Sequence, residues 1–104
     1  MRILFEQTGG FAGLRFAVTI DEAELPPEKA RELRRMVEEA EFFTLPGRIT
    51  SQRPQPDRFQ YRLVVFDGKK RHTVAVSDDA LPAGLVPLVR WLAEAARRHA
   101  LERT

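Results

Sequence analysis

Phe59-Gln60-Tyr61-Arg62-Leu63-Val64-Val65-Phe66-Asp67-Gly68-Lys69-Lys70-Arg71-His72-Thr73-Val74-Ala75-Val76 is the stretch that decides the fold. Phe59, Tyr61, Leu63 and Val65 alternate with Gln60, Arg62 and Val64, and His72, Val74 and Val76 repeat the alternation further on. A period of two puts one set of side chains on each face of a strand. Asp67-Gly68 between the two runs is a dipeptide favoured in two-residue hairpin turns. The expectation is an antiparallel hairpin with one face buried.

A second hairpin is expected at the amino end, from residues 2–8 and 14–20, with Leu14, Phe16, Val18 and Ile20 on one face of the second strand. Gly9, Gly10 and Gly13 between them supply the backbone angles that a tight reversal needs. Pro26-Pro27 can open a helix, since proline in the first turn forfeits no helical bond. Ala30, Leu33, Met36, Val37 and Ala40 then recur at three- and four-residue spacing, an apolar stripe for packing on the sheet. Phe42, Phe43 and Leu45 form an apolar knot, and residues 48–58 read as a long loop with two prolines and little periodicity. From residue 82 to 99, Leu85, Leu88, Val89, Leu92, Ala95 and Ala96 make a second helical stripe, flanked by Trp91 and begun near Pro87. The order ββαββα predicts an α+β fold in which an antiparallel sheet of about four strands carries two helices on one face.

The chain has 104 residues, 43% hydrophobic and 31% charged, which suits a single domain over residues 1–104. No apolar run is long enough to span a bilayer, and the start MRILFEQTGG lacks the order of a secretory signal, so a cytoplasmic location is expected. Zero cysteines exclude disulfides, thiolate metal sites and a cysteine nucleophile. His72 and His99 are the only histidines and neither has an acidic neighbour at ligand spacing, so the chain is expected to hold no metal and no cofactor of its own. Ser51 and Ser77 lack the histidine and carboxylate of an acyl-transfer site, and the glycine stretch lacks the lysine and helix of a phosphate loop. Asp78-Asp79 and Glu38-Glu39 read as solvated charge rather than acid and base. These absences argue against an enzyme.

The formal charge is +2, and basic residues gather near the carboxyl end at Arg90, Arg97, Arg98 and Arg103. Without interleaved aromatics this is a weak signal for nucleic acid, and cations in the last turns of a helix also complement its negative end. Two residues are explained less well by structure alone. Phe11 is an aromatic at the tip of a glycine-rich turn, where it either covers the core edge or meets a partner. Asp57 follows Pro56 and precedes the central strand, as a turn former or as a carboxylate presented by the loop.

Gly9-Gly10-Phe11-Ala12-Gly13-Leu14, Leu25-Pro26-Pro27, Phe42-Phe43-Thr44-Leu45-Pro46, Asp57-Arg58-Phe59-Gln60-Tyr61 and His72-Thr73-Val74, in this order, resemble the emfourin family. Those are small bacterial inhibitors of protealysin-like, thermolysin-type zinc metallopeptidases. The resemblance implies a metallopeptidase partner contacted by two neighbouring loops. In the family one loop supplies an aspartate for the enzyme's catalytic zinc and the other supplies apolar side chains for its substrate subsites. The matching positions here are Asp57 for the first, and Gly10, Phe11, Ala12 and Leu14 for the second. Both loops reach one cleft if the strands that hold them are neighbours, and the strand order stays open at this stage. The alternative is a non-inhibitory module that binds an acidic protein or nucleic acid through the basic surface of the second helix.

Overall fold

A computed structural model describes residues 1–10, 13–51 and 58–102. The strands are β1 (Arg2–Gly9), β2 (Leu14–Asp21), β3 (Arg48–Ile49), β4 (Phe59–Asp67) and β5 (Lys70–Ser77), and the helices are α1 (Pro27–Glu39) and α2 (Val86–Glu102). Single 3-10 turns at Glu22–Glu24, Phe42–Thr44, Asp78–Ala80 and Ala83–Leu85 join them. The strands form one sheet in the order β2-β1-β4-β5-β3.

The two hairpins are where the alternation puts them, and β1 pairs antiparallel with both β2 and β4. The sheet differs from expectation in one respect. It has five strands and is mixed, because Arg48 and Ile49, read from sequence as loop, pair in parallel with Ala75 and Val76 of β5. Two residues are too few to carry a period, so this edge strand had no signature of its own. What holds it is local: the Ala75 amide donates to the Gly47 carbonyl at 2.9 Å, and the Ser51 amide donates to Ser77 Oγ at 3.2 Å.

Both helices belong to the same core as one face of the sheet. Ile3, Phe5, Val18, Leu63, Val65, Val74 and Val76 meet Leu33, Met36 and Val37 of α1 and Leu88, Val89, Leu92 and Ala96 of α2. Burial of this apolar surface is the main force holding the fold. Pro26 precedes α1 and Pro27 is its first residue, as the missing N–H allows. After Ala40 the chain leaves the helix through Glu41 in the left-handed region, φ 51°, and packs Phe42 into the core. His72 works there structurally: its Nε2 donates to the Leu45 carbonyl at 2.6 Å and its ring lies edge-on to Phe42.

The far face of the sheet carries Arg2, Arg15, Arg62 and Arg71 by alternation. Glu6 pairs with Arg15 there at 2.6 Å. Val64 points to that side yet is buried, with Leu4 and Thr73 opposite it on the neighbouring strands.

Candidate functional site

The end of the sheet where β1 turns into β2 and where β4 begins is built around a close approach of two backbones. Gly9 is the register partner of Phe59. Its φ is +107°, and a Cβ at this position would stand 2.4 Å from the carbonyl oxygen of Arg58. Only glycine meets both demands. Gly10, φ +83°, lies against the Phe59 ring, which would be 3.1 Å from a Cβ there. The Gly13 amide donates to the Gly10 carbonyl at 3.1 Å and closes the turn. Leu14 begins β2 opposite Gly9 and is 52% exposed, an apolar side chain presented to water at the rim of the sheet. Phe11, Ala12 and Asp57 lie outside the described residues. Residues 10 and 13 bracket the first two, and Arg58, which follows Asp57 in the chain, backs onto Gly9. The neighbourhood of β1 and β4, left open by the sequence, is thus settled.

The Asp78-Asp79 pair turns out to be more than solvated charge. Asp78 pairs with Arg58 at 3.6 Å, just where the long connection enters β4. Asp79 is held below the usual carboxylate range, chiefly by hydrogen bonds from the Ser77 hydroxyl and then from Ser51, where the same connection leaves β3. Both ends of the 50–58 connection are therefore tied to the turn after β5. Sequence reading missed this because the partners are separated by twenty residues or more in the chain.

On the helix side of this end, Gln7, Phe59 and Tyr61 line a groove whose opposite wall is α2. Gln7 is 5% exposed and its Oε1 is buried without a hydrogen-bond partner among the described residues. The Tyr61 ring stacks on Phe5 with centroids 6.0 Å apart. Burial pushes the Tyr61 hydroxyl up, Asp78 adds to this, and Arg97 opposes it. The position of Gln7 was legible in principle, since it continues the inward set Ile3, Phe5; a glutamine near a strand end simply carries no expectation of burial.

Among the described residues no group of three or more His, Cys, Asp or Glu side chains could hold a metal ion. No helix among them is long and apolar enough to cross a membrane. His72 is committed to Leu45, and His99 is exposed in the last turn of α2. What this end brings together is the β1–β2 turn and the start of β4.

Comparison with known proteins agrees with the motif order. Nothing matches among curated proteins or among solved structures. The profile of the family described as Emfourin, in contrast, matches residues 5–93, from the middle of β1 to the middle of α2. A match that begins inside the first hairpin and ends inside the second helix covers nearly the whole chain, and so the chain belongs to the emfourin family.

Proposed function

We propose that this protein inhibits a protealysin-like, thermolysin-type zinc metallopeptidase by filling its active-site cleft with two loops. The observation that carries the reading is the family match over residues 5–93. The register of β1 with β4 supports it, since Gly9 and Arg58 are adjacent and the chain on either side enters the same end of the sheet. In this reading Asp57 binds the zinc of the target enzyme. A catalytic zinc keeps one coordination position open for water, and a carboxylate oxygen occupies such a position at about 2.0–2.2 Å. The water that would attack the peptide bond is then displaced. Gly10, Phe11, Ala12 and Leu14 form the second element. An apolar side chain buried in a subsite contributes about 1.5–3 kcal/mol, and a few such anchors dominate an interface. The zinc belongs to the enzyme, and the inhibitor brings no cofactor. Action in the cytoplasm is part of the same proposal.

Removing the metal tests the role of Asp57. Against the zinc-loaded peptidase, Asp57→Ala is expected to weaken binding at least tenfold, about 1.4 kcal/mol. Against the same peptidase stripped of zinc, wild type and Asp57→Ala are expected to bind alike in calorimetry. A loss of the same size with and without zinc would show that Asp57 does not act through the metal.

A further inference from the structure

The groove between the loop-bearing end of the sheet and α2 encloses about 770 Å³, room enough for several atoms of a peptide backbone with its side chains. Its floor holds an anomaly. Gln7 continues the inward-facing set Ile3, Phe5, where leucine or valine would pack without penalty, yet it is a primary amide whose oxygen is buried and unpartnered. Among the described residues nothing uses that acceptor, and an interior polar atom left so is a cost to the free protein. A side-chain amide offers a donor and an acceptor in one plane, the same pair that a peptide group offers.

The wall across from it is positively charged. Arg90 and Arg97 line the groove from α2 and make no ion pair among the described residues. Of the two carboxylates that line it, Asp78 is paired with Arg58, and Glu94 lies between Arg90 and Arg97 in the sequence of the helix. Phe59 and Val89 are among the apolar residues that line the groove. Phe59, one of the residues that line the groove, has its ring against Gly10.

We propose that this groove takes an extended acidic segment of the inhibited peptidase beside its cleft, which makes it a second contact that holds the enzyme in place. This inference rests on the inhibitor reading above. Carboxylates of the segment pair with Arg90 and Arg97, whose planar guanidinium groups suit such partners. A peptide group of the segment meets the Gln7 amide, and an apolar side chain lies along Phe59 and Val89. Charge complementarity of this kind adds to encounter rate and selectivity and is sensitive to salt.

Two variants of the full chain and one model peptide test the inference. Inhibition constants against a protealysin-like peptidase are measured at low and high salt for wild type, Gln7→Leu and the double variant Arg90→Glu, Arg97→Glu. The double variant is expected to inhibit about tenfold less tightly at low salt and to lose most of the salt dependence. Gln7→Leu is expected to inhibit several-fold less tightly while melting at a higher temperature than wild type, a combination that a merely structural Gln7 would not produce. Separately, an acetylated and amidated peptide alternating leucine and aspartate is titrated into isotope-labelled protein. Shifts are expected at the Gln7 side-chain amide, Tyr61 and Val89. Inhibition by wild type with both variants equally potent overturns the inference, as does the absence of peptide-induced shifts. Peptide binding in the groove together with no inhibition by wild type would remove the peptidase as occupant and would count against the inhibitor reading as well.

Discussion

Gly9 carries two constraints at once: a left-handed backbone and a carbonyl oxygen where its Cβ would be. Gly9→Ala is therefore expected to part β1 from β4 at the loop-bearing end and to destabilise the protein by about 1–3 kcal/mol in urea unfolding. Retained stability would mean that the approach of the two backbones relaxes freely. Glu41 presents the opposite case, a residue with a side chain in a conformation that suits glycine, at the exit of α1. Glu41→Gly should raise stability by about 0.5–1 kcal/mol, a rise of a few degrees in Tm, since the helix exit loses its steric penalty. Of these two residues only the first was legible in the sequence. A glycine between two alternating runs announces a turn, whereas a glutamate after a helix announces nothing, and its conformation shows only in the fold, just before the buried Phe42.

Among the elements, the two hairpins and two helices could be read because each is long enough to repeat its period. The edge strand β3 could not, since Arg48-Ile49 depends on a bond from Ala75, far along the chain. The same holds for the clamp at the end of the sheet opposite the loops. There Arg34 of α1 donates to Glu22 and to Asp67 of the β4–β5 turn, the latter at 3.1 Å, while the amino terminus donates to Glu22 at 2.9 Å. Arg34, with the amino terminus, holds the Glu22 carboxyl below the 4.5 of a free glutamate. A carboxylate that binds its proton less readily in the folded than in the unfolded state gives stability that is complete above the unfolded value and lost as pH falls through the folded one. Stability is thus expected to be flat above about pH 5 and to decline below it, with Asp79, lowered in the same sense, adding to the slope. Arg34→Ala should cost about 1 kcal/mol near neutral pH, discounted because Arg34 is partly exposed, and should make the acid decline shallower. Equal acid profiles for the two proteins would show that the clamp carries no linkage.

The whole molecule has a polarity that explains how one small fold can hold loops for a partner. One end of the sheet is cross-braced by the Arg34 cluster, and the other is left to the β1–β2 turn, the tethered 50–58 connection and the groove beside α2. Fold class and the nearness of the two loops follow from residue patterns and strand pairing. The chemistry of the site does not, since Phe11 reads equally well as an edge-covering residue, Asp57 reads more readily as a turn former, and both gain their proposed roles from the family. The alternative, an acidic partner or nucleic acid on the basic surface of α2, predicts binding that falls steeply with salt and ignores Asp57→Ala. The most direct test is to titrate the protein into a protealysin-like peptidase and follow hydrolysis of a small peptide substrate. Activity is expected to fall in proportion to added protein and to vanish near equimolarity, with Asp57→Ala and Phe11→Ala each shifting inhibition to at least tenfold higher concentration. Full activity in the presence of excess wild-type protein would contradict the inhibitor function itself.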